Sequence, residues 1–65
     1  MKNNIKELRK MLSLRQEDLA IKVNVTRQTI NAIENNKYDP TLELAMKLAS
    51  VLNTTVEDLF QLELQ

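Results

Sequence analysis

Along most of the chain the apolar residues recur at spacings of three and four, the period of amphipathic helices. Ile5, Leu8 and Leu12 make a first stripe, with Asn3 or Asn4 placed to cap the helix. A second, short helix over about residues 16–23 buries Leu19, Ala20 and Val23. Thr26, a favourable N-cap residue, opens a third that ends near Asn35 and buries Ile30 and Ile33. The turn Asp39-Pro40-Thr41 precedes the longest stripe, Leu42, Ala45, Leu48, Ala49 and Leu52. Thr55 opens a very short fifth helix, with Asp58 at the capping-box position and Val56 and Leu59 inward. The tail then changes period. Phe60, Leu62 and Leu64 alternate with Gln61, Glu63 and Gln65, the two-residue repeat of a strand. A lone strand leaves its backbone unsatisfied, and no other segment reads as a strand. Two readings stay open: antiparallel pairing with the same tail of a second subunit, or a frayed helix end with incidental alternation.

Composition narrows the class. The 65 residues contain no glycine and one proline, which argues against sheet-rich folds with tight turns. One all-α domain over residues 1–65 is expected, a compact five-helix bundle with a possible short C-terminal β-strand. A domain this small is marginally stable and is commonly supported by disulfides, a metal or oligomerisation. With neither cysteine nor histidine, disulfides, thiolate chemistry and the usual zinc ligands fall away together, leaving a partner subunit. No cofactor, metal or small-molecule ligand is implied. No apolar run approaches the ~18 residues of a membrane span, and no signal peptide is evident, so a soluble, cytoplasmic protein is expected. An enzyme is disfavoured. Glu17-Asp18 and Glu57-Asp58 are neighbours on helices, diverge by about 100°, and sit in first turns where acids complement the helix dipole.

Formal charge is zero overall but uneven. Residues 1–37 carry eight basic and four acidic side chains, while residues 38–65 carry one basic and five acidic. Such a split suggests one face for an anionic partner. Between the second and third helices stand only Asn24 and Val25, so the chain turns sharply there. Asparagine is the next best residue to glycine for the positive φ that this turn requires.

Gln16-Glu17-Asp18-Leu19-Ala20, Asn24, Thr26-Arg27-Gln28-Thr29-Ile30 and Glu34-Asn35-Asn36-Lys37 together resemble the Cro/phage-repressor (XRE-type) helix-turn-helix family. The resemblance runs from about Ile5 to Phe60, with the helix-turn-helix at about residues 16–35. It implies a lambda-repressor-like fold and a transcription regulator that binds double-stranded DNA as a homodimer, as a repressor, on an inverted repeat. A protein-binding module of the same fold, an antitoxin-like partner binder, is the alternative.

Helical geometry assigns the faces of the third helix without the family. With Ile30 as origin and about 100° per residue, Thr26 and Ile33 lie inward, while Gln28, Asn31, Ala32 and Asn35 lie opposite. Arg27 and Glu34 fall on one flank and Thr29 on the other. Amides can bond adenine N6/N7 bidentately and arginine guanine O6/N7, so Gln28, then Arg27 and Asn31, are the candidate base readers. Ala32 could touch a thymine methyl.

The alternating tail supplies the dimer surface, and the resemblance supplies the backbone contacts and an ion pair. It implies that Gln16 bonds a backbone phosphate and that Asn35, Asn36, Lys37 and Tyr38 grip the backbone. Arg15, Thr26 and Thr29 are weaker phosphate candidates, and Lys22 reads as solvated. It also implies a structural ion pair between Arg9 and Glu34. Phe60, Leu62 and Leu64, with the fifth helix, are the expected dimer surface. Three departures stand out: Arg15 where a Ser, Thr or Asn cap is usual, Asn36 where glycine is frequent, and acidic Asp39 and Glu43 in a stretch that is often basic.

Overall fold

Four of the five helices end in the same way, and the manner of ending determines the architecture. The computed structural model describes residues 1–62. Its elements are β1 (Lys2–Asn3), α1 (Ile5–Met11), α2 (Gln16–Lys22), α3 (Arg27–Glu34), α4 (Leu42–Val51), α5 (Val56–Leu59) and β2 (Phe60–Gln61). Just past α1, α2, α3 and α4 stand Ser13, Asn24, Asn36 and Asn53, with φ of 57°, 60°, 60° and 58°. After α2, Val25 N–H donates to the Ala20 carbonyl (3.0 Å) and Asn24 N–H to that of Ile21 (3.2 Å). The same pair of bonds recurs from Leu14 and Ser13, from Lys37 and Asn36, and from Thr54 and Asn53. These are Schellman closures, in which a left-handed residue lets the chain fold back and satisfy carbonyls that the helix leaves unpaired. Glycine is the usual occupant. This chain has none, and every closure carries a Cβ in a region where it is crowded.

Serine is the least suited of the four occupants. Ser13→Gly is therefore expected to stabilise the fold by about 0.5–1 kcal/mol, net of the extra freedom glycine gains when unfolded. A thermal melt should rise by about 2–8 °C for a domain of this size. A lower melting temperature would show that the Ser13 side chain contributes more than its backbone strain costs.

Starts are handled by side chains. The hydroxyls of Thr26, Thr41 and Thr55 accept from the backbone N–H of Thr29, Leu44 and Asp58 at 3.2, 3.2 and 3.1 Å. At α2 the cap residue Arg15 offers no acceptor. Asp18 supplies the reciprocal bond instead, accepting from Arg15 N–H at 2.9 Å and from its guanidinium at 3.2 Å. The Arg15 side chain and then its backbone N–H hold the Asp18 carboxyl below the usual carboxylate range.

The core gathers Ile5 of α1, Leu19, Ala20 and Val23 of the α2 region, Ile30 and Ile33 of α3, and Leu44, Ala45, Leu48, Ala49 and Leu52 of the α4 region, closed by Leu59 and Phe60. Full burial of side chains such as Ile30 or Leu48 contributes about 1.5–3 kcal/mol each. Two stripe residues depart from expectation. Leu12 is 41% exposed because α1 ends before it. Leu42 is 70% exposed, and Leu44 is buried in its stead. Leu42 sits about 120° around the helix from Leu48, at the open first turn of α4, whereas Leu44 lies within about 40° of it.

The tail does form the short C-terminal strand that its alternation suggests, as β2, and the larger correction concerns its partner. A second strand does exist: Lys2–Asn3 pairs antiparallel with Phe60–Gln61, with Lys2 opposite Gln61 and Asn3 opposite Phe60. Two residues are too few to show any period, so nothing in the apolar pattern marks β1. Phe60, expected at a subunit boundary, is 7% exposed and belongs to the core of its own chain. Leu62 is 74% exposed, and Leu64 lies outside the described residues.

Candidate nucleic-acid interface

The Schellman closure at Asn24 and the Thr26 cap join α2 to α3, with buried Ala20 supplying a carbonyl to the closure. Ile30 and Ile33 anchor α3 inward, so the opposite face is presented outward. Arg27, Gln28, Asn31 and Asn35 are exposed on it, and Ala32 and Thr29 are half-buried. Thr26, which periodicity alone turns inward, is exposed, because as N-cap it precedes the helical turns. Its hydroxyl lies 3.1 Å from that of Thr29, so these two phosphate candidates sit together at the helix entry.

The amides on this face are not equivalent. Among the described residues the Gln28 side chain makes no hydrogen bond. Asn31 Oδ1 already accepts from Gln16 Nε2 (3.1 Å) and from Asn35 Nδ2 (3.2 Å). A bidentate contact from Asn31 would have to displace those bonds, whereas one from Gln28 would displace only water. Gln16 ties the two helices together: its Nε2 also donates to Glu34 Oε1 (3.1 Å), and its Oε1 accepts from Arg27 at 3.4 Å.

Beneath this network lies a buried ion pair. Arg9 Nε donates to Glu34 Oε2 at 2.8 Å and a terminal nitrogen to Oε1 at 3.2 Å, in a fork geometry. The other terminal nitrogen donates to the Leu14 carbonyl at 2.9 Å. The side chains are 9% and 4% exposed. The pair joins α1, the loop after it, and the end of α3.

Beside the pair, an open groove of about 410 Å³ is lined by Arg9, Lys10, Ser13, Leu14, Arg15, Gln16, Glu17 and Arg27. Lys10, Arg15 and Arg27 set three basic side chains against the single carboxylate of Glu17 in this groove, a net positive lining suited to a phosphate. Arg15 shares its charge with Asp18, which raises its own pKa further. Lys10 was not singled out by sequence reasoning. It stands on another helix, and only the excess of basic residues in residues 1–37 pointed toward it.

On the far side of α3, Asn36 turns the chain and leaves Asn35, Asn36, Lys37 and Tyr38 exposed in a row. Tyr38 and Thr29 share a second hollow of about 380 Å³ with Thr41, Glu43 and Lys47. The acidic residues of this stretch are partly offset, since Glu43 pairs with Lys47 at 3.8 Å. The outer face of α3 is thus flanked by two polar, partly basic margins.

Comparison with known proteins agrees with this geometry. The helix-turn-helix family profile matches residues 5–59. An uncharacterised HTH-type transcriptional regulator of Methanocaldococcus jannaschii is 53% identical over 60 residues, covering 92% of this chain and 91% of that one. The Bacillus subtilis HTH-type transcriptional regulator YgzD is 48% identical over 63 residues, covering 97% and 96%. Among solved structures, the restriction-modification controller protein C.AhdI of Aeromonas hydrophila superposes with a TM-score of 0.80 at 30% identity, covering 88% of this chain and 86% of that one. A chain that presents an anchored, amide-rich helix in this setting, and matches these proteins over nearly its whole length, belongs to the XRE-type helix-turn-helix family of DNA-binding transcription regulators, which are not enzymes.

Proposed function

We propose that the protein is a sequence-specific repressor that reads an inverted repeat as a homodimer. The observation that carries this reading is the unengaged carboxamide of Gln28 at the centre of an exposed face whose other amides are tied to neighbours. Gln28 reads a base edge, with Arg27 and then Asn31 beside it and Ala32 against a thymine methyl. Gln16, Arg15, Thr26 and Thr29 on one margin, and Asn35, Asn36, Lys37 and Tyr38 on the other, hold the phosphates. Repression is the proposed direction because occupancy by a compact reader is enough to exclude another protein from the same DNA. The chain acts in the cytoplasm, as one domain; no helix among the described residues is long and apolar enough to cross a membrane.

The dimer is proposed to form through α5 and the tail beyond Phe60, with exposed Leu62 and with Leu64 as its apolar contacts. Two-fold symmetry of the protein would then be mirrored in the DNA. Selection of bound duplexes from a random pool at moderate salt tests both claims. The expected product is an inverted repeat with half-site centres about 34 Å apart. Enrichment of a single half-site would remove the dimer. No enrichment by demonstrably folded protein would overturn base reading and leave a partner-binding module.

A further inference from the structure

Asn3 joins three parts of the molecule. Its Oδ1 accepts from the Ile5 N–H at 3.1 Å, at the start of α1. Its Nδ2 donates in the opposite direction, to the Ile33 carbonyl (2.9 Å) and to Asn36 Oδ1 (3.2 Å), at the end of α3. The Ile33 carbonyl also accepts from Asn36 N–H at 3.1 Å, so both of its lone pairs are used. Asn3 itself is held by the pairing of β1 with β2, and the next residue continues that hold, Asn4 N–H donating to the Leu59 carbonyl at 3.0 Å.

The need for an asparagine here is not explained by capping. A serine or aspartate would accept from Ile5 N–H as well, since a side-chain bond to the backbone donor two residues on requires only an oxygen. What those residues lack is a donor long enough to reach the end of α3. That donor is directed at Asn36, the left-handed residue at which the chain turns into the exposed row carrying Lys37 and Tyr38. Small changes in the dihedral angles of a turn residue swing everything beyond it, so a clamp at Asn36 fixes where Lys37 points.

We infer that Asn3 is a positioning residue for DNA binding: its carboxamide locks the Asn36 turn and so holds residues 35–38 in the conformation that meets the phosphate backbone. The inference rests on the proposed role of those residues as backbone contacts. Asn3 acts through the loop and has no contact of its own with DNA.

The test compares Asn3→Ser, Lys37→Ala and the double variant on a mixed-sequence duplex, which makes the result independent of any base reading. Serine keeps an acceptor for Ile5 N–H and removes the donor. Affinity is measured across a salt series, with melting curves to establish that each variant is folded. Lys37→Ala should weaken binding by about tenfold and reduce the slope of log affinity against log salt by about 1. Asn3→Ser, although it removes no charge, should lower affinity several-fold and flatten the same slope. The double variant should lose less affinity than the product of the two single losses, since the Lys37 contact is among those that both changes remove. A loss of stability alone would leave the slope unchanged in folded protein. Should Asn3→Ser melt too low, the series is repeated in an Asn53→Gly background, where relief of a left-handed asparagine restores the margin. An unaltered slope in Asn3→Ser beside a reduced one in Lys37→Ala overturns the inference and keeps the loop as a contact. Independent losses that multiply in the double variant also overturn it. If Lys37→Ala leaves the slope unchanged, the loop is no phosphate contact, and both readings fall together.

Discussion

Gln28→Ala is expected to reduce sharply the discrimination between the selected operator and unrelated DNA while leaving weak, salt-sensitive binding intact. A good bidentate contact to a base is worth about 1–3 kcal/mol, so affinity for the operator should fall by about 5- to 150-fold at each half-site. Affinity for unrelated duplexes should stay the same. Gln28 carries no charge, and non-specific binding is set by the number of phosphates neutralised, so the salt slope is also expected to hold. Stability should change by less than about 0.5 kcal/mol, because the side chain is exposed and makes no hydrogen bond among the described residues. Asn31→Ala should have a different profile. Its Oδ1 is shared between Gln16 and Asn35, so removing it disturbs the placement of both and lowers affinity on every sequence to some degree. Equal loss on operator and unrelated DNA in Gln28→Ala would contradict a base-reading role. That outcome would move the reading function to Arg27.

The contrast between Gln28 and Asn31 shows where the sequence is legible and where it is not. Helical period is a local property, and it locates α2 and α3, their inward residues Leu19, Ala20, Ile30 and Ile33, and the outward amides. Turn chemistry is local too. Asn24 and Asn36 do adopt the left-handed conformation that their type and place suggest. Ser13 and Asn53 do so without having been singled out, because nothing in a serine or a lone asparagine marks a closure until the helix before it is known to end. Which amide is already occupied depends on contacts between residues 15 or 18 positions apart, such as Gln16 with Asn31 and Glu34, and no periodicity carries that. The strand β1 was missed for a related reason. Two residues make no pattern, and the partner of Phe60–Gln61 lies nearly the whole chain away. Once Lys2–Asn3 satisfies that backbone, the need for a second subunit to do so disappears, and any dimer has to rest on exposed groups such as Leu62 rather than on Phe60. Asn3 was noticed only as a possible cap, the half of its role that involves a near neighbour.

Removing one member of the Arg9–Glu34 pair is expected to be the most damaging single change to stability. Both side chains are nearly out of water, so Glu34→Ala leaves a buried guanidinium whose remaining acceptor is the Leu14 carbonyl. Breaking a buried pair costs about 3–5 kcal/mol. Small domains have total stabilities of about 0.05–0.15 kcal/mol per residue, so that loss consumes most of the margin of a 65-residue chain. Glu34→Ala and Arg9→Met should each melt at least about 12 °C lower, or lose a cooperative transition altogether. The double variant Arg9→Met/Glu34→Leu should recover much of the stability, since two apolar side chains of similar volume avoid the desolvation of two charges. A Glu34→Ala variant melting within a few degrees of the unmodified protein would show that the pair is not the keystone of this end of the fold. If an apolar pair folds nearly as well, stability alone does not account for the charged one. Glu34 Oε1 also accepts from Gln16 Nε2, and Gln16 in turn meets Arg27 and Asn31. The double variant is therefore expected to fold yet bind DNA more weakly on all sequences, because the Gln16 amide loses the carboxylate that aims it. The melting temperature and the affinity should part company in that one protein, and their separation would assign the buried charges to the orientation of the reading head rather than to the strength of the fold.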